Sequence, residues 1–214
     1  MKETGLIFNG DMVRATLDDR KTQTRRAVNA STSNLLDLQG QYPHKKYNIG
    51  CPLGASGDRI WVRETWGVVS HAFDDDGMMT KWIPDRPATA INEMPFGNGY
   101  YSGHVIYAAD GSFTWGDDDG YEDGRSCWKP SIFMPRAASR ITLEIAKVRV
   151  ERLTDISEED ARAEGAPPSS YAITPPEAVY RVGFRKLWES LYGEESWQKN
   201  PWCWVIEFQR VSAD

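Results

Sequence analysis

Ser139-Arg140-Ile141-Thr142-Leu143-Glu144-Ile145-Ala146-Lys147-Val148-Arg149-Val150-Glu151-Arg152-Leu153 reads as one long strand with a fault in it. Ile141, Leu143 and Ile145 alternate, and the apolar phase then slips by one to Val148 and Val150. Strand side chains point to opposite faces with a period of two, so a slip of one turns the rest of the strand over. A β-bulge produces such a slip, and bulges gather where a sheet bends to close. The stretch therefore predicts a strongly bent sheet.

The neighbours of that strand complete an α+β pattern. Ser157 and Asp160 form a capping-box-like start for a short helix ending near Gly165. Thr174 as cap, Pro175 at the first position and Glu177 predict a second helix, with Tyr180, Phe184, Leu187, Trp188 and Leu191 on one face and Gly193 at its end. Trp202–Phe208 follows as a strand, with Trp202, Trp204, Ile206 and Phe208 on a common face. Toward the N-terminus, Gly5–Phe8 is a short strand, and Asn9 or Asp11 caps a helix running to about Asp18. Lys21–Val28 is a Thr-rich strand, Asn29–Gly50 lacks a clear period and reads as loop, and Gly57-Asp58 turns into a strand that puts Ile60, Val62, Glu64 and Trp66 on one face. Residues from about 70 to 127 are rich in Gly, Asp, Pro and aromatics, and read as an insertion of hairpins and loops with one strand at His104–Ala108. No βαβ alternation or repeat is present. The expected architecture is a single domain over residues 1–214, with a strongly bent, partly closed β-barrel, two or three short helices and that insertion.

Composition narrows the function classes. The chain has 214 residues, 40% hydrophobic and 26% charged, as an ordinary globular protein does. No apolar run approaches the roughly 20 residues that span a bilayer, and the start shows no secretion signal. Cys51, Cys127 and Cys203 lack CxxC spacing, which points to a reducing, cytoplasmic setting. A net charge of −6 argues against a long electrostatic track on DNA or RNA. The charge is uneven: bases outnumber acids over residues 1–46, and acidity collects around Asp74-Asp75-Asp76 and Asp117-Asp118-Asp119.

Within the basic region, Arg20-Lys21-Thr22-Gln23-Thr24-Arg25-Arg26 is a candidate reactive segment. Cations on both sides of Lys21 disfavour its ammonium form, and a hydroxyl three residues away is a plausible recipient of that basicity. Lys21 and Thr24 fall on opposite faces of a straight strand, so joint action requires a bent backbone, with Lys21 in the helix-to-strand turn and Thr24 on the strand proper. The same residues also fit a solvated lysine beside a β-favouring threonine. Arg26 shares the Thr24 face and would need a carboxylate if buried. Glu64 is the candidate, and an Arg26–Glu64 pair serves equally as a lock on the barrel or as a substrate contact.

Three segments together resemble the ASCH domain of the PUA-like superfamily: Lys21-Thr22-Gln23-Thr24-Arg25-Arg26, Gly57-Asp58-Arg59-Ile60-Trp61-Val62-Arg63-Glu64-Thr65-Trp66, and the final strand at Trp204-Val205-Ile206-Glu207-Phe208. Trp128-Lys129-Pro130-Ser131-Ile132-Phe133-Met134-Pro135-Arg136, followed by Ala138-Ser139-Arg140-Ile141, resembles the version carried by phages and prophages. The resemblance implies a nucleobase- or RNA-related role. Small bacterial members of the family are amidohydrolases that remove the acyl group from N4-acetylcytidine with a lysine, a threonine and a later glutamate, and other relatives are proposed RNA binders or ribonucleases. The lysine and threonine correspond to Lys21 and Thr24, and the best match to the acid is Glu164, with Glu64 as runner-up. Glu164 ends a short helix, where the dipole favours a carboxyl able to pass protons. Arg26, Glu64, Trp128 and Arg136 are candidate substrate contacts.

The expectation is thus a hydrolase of an N4-acylated cytidine or similar modified nucleoside, needing no metal or organic cofactor, with a nucleoside or RNA partner and no membrane. The rival expectations are a noncatalytic RNA- or protein-binding module and a ribonuclease. His44, Cys51 and His71 or His104 lack zinc-ligand spacing, and aspartate runs in loops are commonly just solvated.

Overall fold

The computed structural model describes residues 1–116 and 126–211. In chain order the strands are β1 (Glu3–Ile7), β2 (Gln23–Ala27), β3 (Arg59–Arg63), β4 (Trp66–Val69), β5 (Ala72–Phe73), β6 (Met79–Thr80), β7 (Thr89–Phe96), β8 (Gly99–Tyr107), β9 (Thr142–Arg152) and β10 (Trp202–Val211). The α-helices are α1 (Gly10–Leu17), α2 (Ala30–Gln41), α3 (Glu158–Ala163) and α4 (Val179–Tyr192). The protein is mixed α+β. Strands pair in the order β1-β3-β9-β10-β2 in one sheet, β4-β8-β7 in a second, and β5-β6 in a small hairpin. Among the described residues no helix is long and apolar enough to cross a membrane.

The long strand at 142–152 is the middle member of the five-stranded sheet. Leu143 and Ile145 are buried, and Ala146 and Lys147 are then exposed in succession, so the alternation breaks where the apolar phase slips.

The chain divides into two compact units. The first holds Met1–Thr4, Ala15–Ile60 and Leu143–Val211. Its apolar cluster joins Leu153, Ile156, Ala161, Ala166, Phe184, Trp188 and Cys203, which packs α3 and α4 against β10. The second unit holds Gly5–Arg14 and Trp61–Thr142. Trp66, Met94, Val105, Tyr107, Met134 and Ala138 form one of its clusters.

Three local expectations change. The segment read as loop from Asn29 contains α2, capped by the Asn29 side chain, which accepts from Thr32 N. None of its residues is buried, so it carries no apolar stripe for a periodicity search to find. It is anchored through Asp37, which accepts from Arg152 Nη2 at 2.6 Å and from Trp202 Nε1 at 2.8 Å. Helix α4 begins at Val179 rather than beside Thr174, whose hydroxyl is bonded to Ser169 Oγ instead. The first-turn amides of α4 are met from a distance by Glu158, which accepts from Tyr180 N at 2.5 Å and Arg181 N at 2.9 Å. With four α-helices, the described residues also exceed the two or three expected.

Between residues 72 and 107 the chain forms hairpins, where one strand at His104–Ala108 was expected. Strands β7 and β8 form the longest antiparallel pair there, and Asp74 Oδ1 closes the β5–β6 turn by accepting from Asp76 N and Met78 N. The Asp117-Asp118-Asp119 run lies outside the described residues.

Candidate active site

Lys21 leaves the turn after α1 with its backbone amide bonded to Ala15 O at 2.8 Å, and it meets Glu164 in an antiparallel backbone bridge. Ser157 Oγ accepts from Asp160 N at 3.0 Å and fixes the start of α3, which delivers Glu164 at its C-terminal cap. Gly165 follows at φ +72°, and a Cβ there would come within 2.9 Å of Lys21 Cβ. The close approach of the two segments therefore depends on a glycine.

The Lys21 side chain is fully buried. Its Nζ donates to Glu164 Oε2 at 3.0 Å, to Glu164 O at 2.8 Å and to Gln23 O at 2.9 Å. Burial pushes the amine below its usual range; Glu164 opposes that shift, while Arg26 and Arg25 add to it. The flanking cations thus act in the direction the sequence suggests, but desolvation is the larger cause.

Strand β2 pairs with β10, placing Gln23 opposite Glu207, Thr24 opposite Ile206 and Arg25 opposite Val205. Gln23 and Arg25 share one face; Thr24 and Arg26 share the other. Arg25 is the guanidinium buried on this strand, and Arg26 is only half-buried, with its Nη1 donating to Arg25 O at 3.2 Å. The expected inward role of Arg26 passes to Arg25 because α3 supplies carboxylates to the Gln23–Arg25 face. Arg25 donates to Glu164 Oε1 at 3.4 Å, Asp160 Oδ2 at 3.1 Å and Glu151 Oε2 at 2.8 Å. Arg149 on β9 extends the network to Glu151, Glu207, Asp160 and the Gln23 side-chain oxygen. Burial opposes ionisation of Asp160, but Arg25 and Arg149 together hold its carboxyl below the usual range.

Thr24 is fully buried, and its hydroxyl has no hydrogen-bond partner among the described residues. A buried polar atom left unpaired costs about 1–3 kcal/mol. Lys21 lies past the turn, in its bridge to Glu164, and Thr24 lies on β2, with no hydrogen bond joining Nζ to the threonine oxygen.

The remaining candidates lie in the second unit. Glu64 is buried and is held by Arg140, whose Nε and Nη2 reach its two oxygens at 3.0 Å each. Arg140 also grips Asp110 at 2.7 and 2.9 Å and lies 3.9 Å above the Tyr107 ring. Burial pushes the Glu64 carboxyl up and Arg140 opposes it. Trp128 packs edge-on against Trp115 with ring centroids 5.2 Å apart. Arg136 is exposed and donates to Thr142 Oγ1 at 3.1 Å.

The structure thus joins Lys21 and Glu164 from 143 positions apart. Arg25, Asp160 and Arg149 are the members the sequence reading missed. Their signal was the alternation of Lys21, Gln23 and Arg25 combined with Asp160 and Glu164 one helical turn apart. Comparison of the chain with protein-family models, curated proteins and solved structures finds no match.

Proposed function

We propose that the protein is an amidohydrolase acting on an N4-acylated cytidine or a similar modified nucleoside, with Lys21, Thr24 and Glu164 as its catalytic residues. The carrying observation is the buried Lys21–Glu164 contact at 3.0 Å, in a segment that also holds the unpartnered Thr24 hydroxyl. Moving one proton from Nζ to Oε2 turns the ion pair into an amine and a carboxylic acid, which are the base and the acid that amide hydrolysis needs. The amine takes a proton from Thr24 or from a water held by its hydroxyl. The activated oxygen attacks the acyl carbonyl, and Glu164 protonates the departing exocyclic nitrogen. Where Thr24 attacks, the acyl group passes to its oxygen and one water then cleaves that ester; where water attacks, it enters directly, and either route consumes one water and yields the carboxylic acid and the free nucleoside. Backbone amides would stabilise the oxyanion.

A bent, partly closed sheet of the ASCH type belongs to the same proposal. Its support is the long central β9 and the break in alternation at Ala146-Lys147.

One observation favours a second reading. All three Nζ hydrogens of a charged Lys21 have acceptors, as in a structural staple. In that case the chain is a noncatalytic RNA-binding module and Lys21 stays charged. Incubation with N4-acetylcytidine, followed by the ultraviolet change on cytidine release, separates the two. The hydrolase reading expects turnover, and a loss of about a thousandfold in Lys21→Ala. No turnover alongside salt-sensitive RNA binding supports the module, and turnover unaffected by Lys21→Ala removes the mechanism.

A further inference from the structure

Arg25 holds the least exposed of its three carboxylates at the greatest distance. Its Nη2 donates to Glu151 Oε2 at 2.8 Å and to Asp160 Oδ2 at 3.1 Å, whereas Nη1 alone reaches Glu164 Oε1, at 3.4 Å. Its Nε is buried without a partner among the described residues. The Glu164 side chain is 4% exposed, against 24% for Asp160 and 26% for Glu151. A guanidinium free to choose would fork onto the most desolvated carboxylate, which has the most to gain from two charge-assisted bonds. Arg140 makes such a fork on Glu64, with Nε and Nη2 each at 3.0 Å.

A ring of charges holds Arg25 back. Arg149 donates to Glu151 through Nε, and through Nη2 to both oxygens of Asp160 at 3.0 and 3.1 Å. Glu151 and Asp160 thus each bridge Arg25 to Arg149, one from β9 and the other from the first turn of α3. Glu207 and the Gln23 side-chain oxygen fix Arg149 in turn. The Nη2 end of Arg25 is therefore tied to β9 and α3, and only Nη1 is left for Glu164.

That restraint decides who holds the second oxygen of Glu164. Lys21 Nζ donates to Oε2 at 3.0 Å. A fork from Arg25 would take both oxygens, and Nζ would keep its bonds to the backbone carbonyls of Glu164 and Gln23 but lose the carboxylate.

We propose that Glu151 and Asp160 are positioning residues: by holding Arg25 Nη2 they keep its guanidinium from forking onto Glu164 and leave Oε2 to Lys21 for the proton exchange. The inference rests on the hydrolase reading and gives that site two residues that act only through Arg25.

The test is the double variant Asp160→Asn/Glu151→Gln, made in the full chain with and without Arg25→Ala. It keeps the size and an acceptor at each position and removes the charge that holds the guanidinium. A thermal melt verifies folding. For N4-acetylcytidine, kcat should fall about tenfold with KM unchanged. In the Arg25→Ala background the same two substitutions should leave kcat unchanged, because residues that act through a common partner are non-additive. A second readout needs no turnover: an NMR titration of the Lys21 amine, assigned with Lys21→Met. Burial lowers that titration and Glu164 raises it, with Arg26 and Arg25 the other charges facing the amine. Loss of Glu164 to Arg25 should therefore move the midpoint to lower pH in the double variant, and not where residue 25 is alanine. A midpoint that moves only when Arg25 is present, in a protein without turnover, counts against the hydrolase reading alone. An unmoved midpoint in the folded double variant, or equal changes with and without Arg25, overturns the proposal.

Discussion

In the second unit, Arg140 lies between Glu64 and Asp110 and gives two hydrogen bonds to each. In the first, Lys21 and Arg25 divide the two oxygens of Glu164, and Arg25 continues to Asp160 and Glu151. Both clusters bury charge at comparable distances, but their cations differ. Arginine keeps its proton at any ordinary pH, so the Glu64–Arg140–Asp110 group holds one arrangement and acts as a lock. Lysine releases its proton when desolvated, and Lys21 is fully buried. The same local chemistry fixes a fold in one place and, under the proposed mechanism, supplies a movable proton in the other.

Removing each arginine is the largest test of that contrast. Arg140→Ala leaves the buried Glu64 carboxylate without its cation and should cost about 3–5 kcal/mol of stability in denaturant melts, whereas Arg25→Ala leaves Glu164 with Lys21 and both Asp160 and Glu151 with Arg149, and should cost less. Only Arg25→Ala should also reduce acyl hydrolysis in the fraction that remains folded, because it frees the Glu164 carboxylate from its second cation. Equal loss of turnover in the two variants would erase the distinction.

Thr24→Val divides stability from activity. The Thr24 hydroxyl makes no hydrogen bond among the described residues, so its loss should leave stability unchanged or raise it by about 1–2 kcal/mol. Turnover should nevertheless fall about a hundredfold, as expected for loss of a catalytic hydroxyl. A destabilised variant with full turnover would return Thr24 to a structural role.

The smallest effects lie in the pH dependence. The folded-state Lys21 pKa lies below 10.5, so the unfolded chain binds the extra proton in the window beneath that value and stability rises with pH across it. Lys21→Met should remove that rise. Asp160, depressed below 3.8, contributes stability that is present above 3.8 and lost as pH falls through its folded value. Glu64, raised above 4.5, contributes in the opposite sense: its share is present below 4.5 and lost as pH rises through its folded value. Urea melts from about pH 3 to 6 on Asp160→Asn and Glu64→Gln should therefore change slope in opposite directions. A change of the same sign in both would mean that the clusters are alike.

The sequence made some of this legible and concealed the rest for physical reasons. The alternation of Ile60, Val62, Glu64 and Trp66 marks a buried face, and all four are buried. The run nevertheless divides between β3 and β4, which belong to different sheets, and alternation carries no information about that division. Helix α2 escaped because nothing on it is buried. Arg25 escaped because its alternation with Lys21 and Gln23 marks a shared face but not which face meets the carboxylates, and Gln23, Thr24 and Arg25 are all buried in succession. The spacing placed Thr24 on the strand, as found, whereas Lys21, expected in the turn, lies just past it in a bridge to Glu164. The acid that meets Lys21 came from the family resemblance, since no local pattern ties residue 21 to residue 164.

Lys21→Arg tests the central claim most directly, because it converts the Lys21–Glu164 contact into the kind of pair that Arg140 makes. The variant keeps a cation and donors for Glu164 but has no proton to release near neutral pH. With folding verified by a thermal melt, N4-acetylcytidine hydrolysis should fall about a thousandfold or more. Hydrolysis at the wild-type rate by folded Lys21→Arg would contradict the account.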